Sequence, residues 1–253
     1  MRGLIFAKRT AKEILRDPLT FIFCLGFPLV MLFIMTIVDR SIPAEAGMQI
    51  FHIHYLTPGI VHFGFTFIML FTCLQVSKDR STAFLLRLYA SPMKPVDFIG
   101  GYTLPILGIA AIQAVIVFAA AFVIAKIAGE TIAPANALLC ILVSIPSALL
   151  FLGFGLFFGT MLGEKAAPGI CSIVITASCM LGGIWMDVDA IGGAFGKVCQ
   201  ALPFYQGVKA ARMAALGNTE NINQPFAITL CYAAVLYALA VWAFRSRMQR
   251  DIR

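Results

Sequence analysis

Few side chains in this sequence could do chemistry, and each kind has a requirement that can be checked. His52 and His54 form an H-x-H pair, a spacing at which two imidazoles could share a metal, and Asp187 and Asp189 form a D-x-D pair. Neither histidine has an acidic or cysteine partner close in sequence, so the pair is a weak signal and no metal site is expected. The string GGAFGKV at 192–198 comes near a phosphate-binding loop, but Ile191 stands where the first glycine is needed and Val198 where a Ser or Thr would hold magnesium. HExxH and GxSxG are missing, and no nucleophile and base pair stands out, so an enzyme is not expected. Of the seven cysteines, Cys24, Cys73, Cys140, Cys171, Cys179 and Cys231 lie in apolar stretches and are expected as small core residues. Cys199 alone is expected outside, which leaves no outer partner within the chain for a disulfide.

The elements that must hold these residues are dictated by hydropathy. The 253 residues are 60% hydrophobic and 12% charged, with 22 phenylalanines and a mean hydropathy of +0.92. That is the composition of an integral membrane protein. A helix crosses the hydrocarbon with about 20 apolar residues. Six stretches qualify, at 19–38, 55–77, 98–125, 135–161, 167–186 and 225–244, and they contain no Asp, Glu, Lys or Arg. His62 lies in the second, where a polar group is costly and marks either function or a hydrogen-bonded structural role.

Charges confined to the loops report orientation. With the N-terminus inside, 14 of the 19 basic residues face inward and six acids lie on each side, giving +8 inside and −1 outside. Both termini are expected in the cytoplasm of a bacterial-type inner membrane. The overall +7 then reflects this bias and attraction to anionic lipid, with no nucleic-acid partner required. Ala44-Glu45-Ala46 follows the first span in the manner of a signal cleavage site, but the apolar run is too long for a signal peptide.

Residues 3–16 place Leu4, Ala7, Ala11, Ile14 and Leu15 at helical spacing beside Lys8, Arg9, Lys12 and Arg16, which predicts a basic amphipathic helix on the inner surface, ended by Asp17-Pro18. The expected division is therefore 1–18 as an interfacial helix and 19–253 as one six-span domain. Pro28, Pro105 and Pro146 should kink the first, third and fourth spans. Gly155, Gly159 and Gly163, spaced by four, should let the fourth span approach a neighbour closely. The glycine-rich, half-apolar stretch 181–218 suits short helices dipping into the outer leaflet.

The inner loop KDRSTAFLLRLYASPMKPVD, 78–97, reads as a short helix from Ser81 to Ser91, with Phe84, Leu85 and Leu88 on one face and Arg80, Arg87 and Lys94 near another, stopped by Pro92. Such a helix suits either lipid headgroups or a groove on a soluble partner.

The order of an amphipathic helix, E-x-L-R-D-P at Glu13 to Pro18, a span with a central proline, and LRLYASPMKPVDFIGGYTLP at 86–105 resembles the type-2 family of ATP-binding-cassette permeases, small exporters related to drug, polysaccharide and lipid efflux subunits. The resemblance implies an all-α permease, with an N-terminal elbow helix, that pairs with a second copy or a homologous permease and rides on two ATPase subunits. Those partners would bind ATP and magnesium, this chain none. It implies a coupling helix at Arg80 to Pro92, with Arg80, Ser81, Phe84, Leu85, Arg87, Leu88 and Ser91 meeting the ATPase and Glu164 and Lys165 as a secondary contact. The second and fifth spans would line the substrate cavity, which points to Phe63, Phe67, Phe71 and Thr176. An aromatic, uncharged cavity suits an amphiphilic drug, antibiotic or lipid. A polysaccharide or glycolipid exporter of the same family, and a stand-alone channel or carrier, are the competing readings. The spans hold no carboxylate for an ion-coupled mechanism.

Overall fold

The computed structural model describes residues 2–43, 49–81 and 95–251, and the described secondary structure is entirely helical. Helix α1, Arg2–Ile14, is separated by a short turn from α2, Pro18–Ser41, and the Asp17 carboxylate caps α2 by accepting from the Leu19 amide at 3.2 Å. The expected stop at Asp17-Pro18 is therefore where the chain turns. Within α2 the residues Ile22–Gly26 form a π-helical turn ahead of Pro28, which absorbs the missing backbone donor.

Helix α3, Ile53–Ser81, is the central post, buried along most of its length. Around it stand α4, Pro95–Ala128, and α5, Pro134–Met161. Pro146 does break α5, which divides at Ser144, whereas α4 continues through Pro105 without interruption. The approach of α5 to α3 rests on two of the three spaced glycines. A Cβ on Gly155 would stand 2.6 Å from the Met69 carbonyl, and one on Gly159 would stand 2.8 Å from that of Cys73. Gly163 has nothing near it. Close packing within one chain thus accounts for the first two.

The fifth apolar stretch is shorter than its hydropathy suggests. Helix α6 spans only Ala167–Leu181 and ends at Gly182 and Gly183, the latter at φ +72°. Five helices of the described residues are long and apolar enough to cross a membrane, and α6, at 15 residues, is a shorter apolar one. After it come three short helices, α7 (Val188–Ile191), α8 (Gly193–Ala201) and α9 (Pro203–Ala215), before the long α10, Asn223–Asp251. The break between α7 and α8 falls on Gly192 and Gly193, both at positive φ.

Among the cysteines Cys231 differs from expectation, being exposed where a core position was expected. Cys199 is buried, packed with Val188 and Tyr205, and all seven are free thiols.

Candidate functional site

At the C-terminal end of α3 a polar network joins three elements. Asp79, 5% exposed, accepts from Arg9 of α1 at 3.3 Å, from Gln75 one turn back at 3.4 Å, and from the Tyr102 hydroxyl of α4 at 2.7 Å. Arg9 also donates to Glu13 at 2.5 Å, and Gln75 to the other Glu13 oxygen at 3.1 Å. Burial pushes the Glu13 carboxyl above its usual range, Arg9 works against that, and the neighbouring Asp79 charge adds to it. Apolar packing backs the network. Phe6 lies edge-on to Tyr102 at 4.9 Å and over Gly101, where a Cβ would come within 2.3 Å of its ring. A buried carboxylate is tolerable here because it is met by a guanidinium and two further donors.

The next turn of α3 fastens to α5. Ser77 donates to the Gly159 carbonyl at 3.3 Å, Arg80 to that of Thr160, and Arg247 of α10 to that of Met161 at 3.3 Å. These are carbonyls at the C-terminus of α5, which need donors and attract cations. Arg80 is therefore turned into the bundle, onto Thr160. Ser81, exposed, lies 3.5 Å from Glu164, and Lys165 is exposed beside it. Phe84, Leu85, Arg87, Leu88 and Ser91 lie outside the described residues.

The aromatic residues proposed for a cavity form a row. Phe63 meets Trp185 at 5.3 Å and Phe67 at 5.1 Å; Phe67 meets Phe27 at 5.2 Å; and Phe71 meets Phe23 at 5.9 Å. Sequence reading identified the α3 members and missed Phe23 and Phe27 of α2, which alternate with them. The row is half-open at Phe23, Phe27, Phe67 and Phe71 and closed at Phe63. Its end at Phe71 lines a cavity of about 320 Å³ whose lining includes the buried Cys24, Ile68 and Ile106 together with Asp17, Gln75, Lys78 and Glu164. Thr176 does not join the row. Ile175 and Cys179 are the α6 residues packed near Phe63, while Thr176 is exposed and bonds to the Ser172 carbonyl at 3.0 Å.

The histidines are placed apart. His52 pairs with Asp39 at 3.2 Å and His54 with Glu130 at 3.3 Å, so each has its own acid from a distant part of the chain. No group of three metal-ligating side chains exists among the described residues. His62 is buried with one ring nitrogen on the Pro58 carbonyl at 2.8 Å.

The model of the ABC-2 type transporter family matches residues 3–216. The chain belongs to the ABC-2 type transporter family. A comparison with curated proteins finds no match. Membership makes this ABC-2 chain a multi-pass membrane permease component and implies an ABC ATPase as its partner. The matched region takes in α1, the Asp79 network, the aromatic row and the short helices α7 to α9, and stops before α10. Tyr102 falls within the stretch 86–105 and Asp79 within the loop 78–97, but no motif position marks either as part of a site. The one local signal for Asp79 is an acid two residues beyond the end of the apolar run 55–77, with Gln75 four residues before it.

Proposed function

We propose that the chain is the permease of an ATP-driven exporter that moves an amphiphilic drug-, antibiotic- or lipid-like substrate out of the cytoplasm or the inner leaflet, with ATP hydrolysed by two partner ATPases. The observation that carries this reading is the aromatic row. Seven contacts among Phe23, Phe27, Phe63, Phe67, Phe71 and Trp185 line one uncharged flank of α3, and the row ends at a cavity lined by both apolar and polar side chains. Binding sites for amphiphiles combine apolar walls with a few placed polar groups. A sugar polymer would need many more hydrogen-bond partners than this flank offers.

A second copy of the chain would face the row across the exposed sides of α2 and α6, where Phe33 and Ile173 stand uncovered. The segment 80–92 would dock on the ATPase through Phe84, Leu85, Arg87, Leu88 and Ser91, with Ser81, Glu164 and Lys165 beside it. Arg80, through Thr160, would tie that segment's root to α5.

Substrate-stimulated ATP hydrolysis by the reconstituted complex tests the reading. Phe67→Leu and Phe71→Leu should each lower the stimulation and leave basal hydrolysis and membrane yield unchanged. The more drastic Phe63→Ala with Phe67→Ala should abolish drug resistance in cells. Full stimulation in all of these variants would overturn the cavity assignment. Separately, charge reversal at Arg87 together with Phe84→Ala should uncouple the ATPase while the permease stays folded in the membrane.

A further inference from the structure

At the end of α3 opposite the Asp79 network, a second set of charges is arranged in another way. A cavity of about 390 Å³ opens between α9, the first turn of α3 and the α6–α7 turn. Two cations, Arg212 and Lys209, and two carboxylates, Asp187 and Asp189, line it, yet none of the four is in ion-pair contact with another. Each is held by something neutral. Arg212 donates to the carbonyls of Tyr55 at 3.2 Å and Gly183 at 2.9 Å. Lys209 lies 5.8 Å over the Tyr205 ring. Asp187 accepts from the amides of Asp189 and Ala190, and Asp189 from the Tyr205 hydroxyl.

Burial lowers the Arg212 pKa, and the two aspartates oppose that from a distance. A half-buried guanidinium with no contacting anion loses part of its hydration without full compensation, and backbone carbonyls use only part of its five-donor fork. The remaining donors suit an anion that offers two acceptor oxygens, such as a phosphate or carboxylate. A lone anion would be repelled by Asp187 and Asp189, and a lone cation by Arg212 and Lys209. A ligand bearing both signs meets all four. The lining also carries Ile50 and, from the same stretch of chain as the two cations, Val208, Met213 and Leu216. Tyr55 and Tyr205 line it too, a residue type enriched at the level of lipid headgroups.

We propose that this cavity binds a zwitterionic phospholipid headgroup, its phosphate on Arg212 and Lys209 and its ammonium on Asp187 and Asp189, with the apolar lining residues taking the glycerol end of the chains. The site stands independently of whether lipid is cargo.

The test uses the purified full chain in detergent, read by native mass spectrometry and thermal unfolding. Phosphatidylethanolamine should be retained and should raise the unfolding temperature more than phosphatidylglycerol does. Free phosphoethanolamine should compete weakly, which would assign recognition to the headgroup with the tail adding affinity. Lys209→Gln should cut phosphatidylethanolamine retention on the order of tenfold, the loss of one charged contact. Asp187→Asn with Asp189→Asn should shift the preference towards phosphatidylglycerol. Lys209 and both aspartates are exposed, and Asn still caps a helix, so these variants test the site even if Arg212→Gln fails to fold. Equal retention of the two lipids by the unaltered chain, or retention unchanged in these variants, would overturn the proposal. Neither result depends on transport or on an ATPase.

Discussion

The two ends of α3 hold similar charged groups in opposite arrangements. At Asp79 every group is in contact with a partner over distances of 2.5–3.4 Å, and three of the five hydrogen-bonded links cross between helices, Arg9 to Asp79, Gln75 to Glu13 and Tyr102 to Asp79. Around Arg212 the charges surround a hollow and touch backbone, hydroxyl or ring instead of one another. Buried charge in mutual contact fixes structure, because removing one member strands the rest. Charge held apart by neutral groups leaves its strongest interactions to be completed by a ligand. The contrast assigns rigidity to the end that leads into the segment 82–94 and adaptability to the other.

Breaking the rigid end should cost most. Asp79→Ala leaves Arg9, Gln75 and the Tyr102 hydroxyl without their acceptor, and should lower stability by roughly 3–5 kcal/mol, read as a fall in unfolding temperature of the detergent-solubilised chain. An overpacking change at the adjoining α3–α5 contact comes next. Gly159→Leu would force α5 away from the Cys73 carbonyl, at about 1–3 kcal/mol, and should also loosen the Arg80 to Thr160 link, which protection of the α5 C-terminal amides from hydrogen exchange would report. Tyr102→Phe removes one hydrogen bond to a carboxylate and should cost about 1.5–3 kcal/mol at most, since Arg9 and Gln75 remain. At the adaptable end, Lys209→Gln should change stability by less than about 0.5 kcal/mol while changing lipid retention. If it destabilised the protein as much as Asp79→Ala, the contrast between the two ends would collapse.

The smallest effect sharpens the comparison through pH. Because burial raises the Glu13 pKa, the folded state favours its neutral form, so this contribution is full below the unfolded value and lost as pH rises through the folded one. Stability measured from mildly acidic to neutral pH should therefore decline slightly in the unaltered chain. Glu13→Gln should flatten that decline and leave stability at the acidic end nearly unchanged, because Glu13 is half-exposed and its charge is partly screened.

The spans were legible because charge is excluded from hydrocarbon, and uncharged runs mark α2, α3, α4, α5 and α10 to within a few residues. Hydropathy overran α6, since Gly182, Gly183, Ile184 and Trp185 continue the apolar run while the φ of Gly183 ends the helix. Apolarity reports burial or lipid and does not report backbone conformation. The amphipathic α1 was visible in its spacing, but its attachment was not, because Arg9 and Asp79 are 70 residues apart and no local pattern links them. The phenylalanines of α3 were read from spacing, whereas Phe23 and Phe27 needed the packing angle of α2. Thr176 was assigned by its place in the fifth span. One residue along the helix separates it from Ile175, and that 100° turn puts it on the exposed face of α6, the element proposed to meet a second copy.

The shortness of α6 has a mechanical consequence. Fifteen residues rise about 22 Å, against a hydrocarbon thickness of about 30 Å, so the bilayer beside α6 must thin or be filled by α7 to α9. That mismatch makes acyl-chain length a control variable. In shorter-chain lipids the mismatch shrinks, which would bring α9, with Arg212 and Lys209, closer to the level of the headgroups they are proposed to bind.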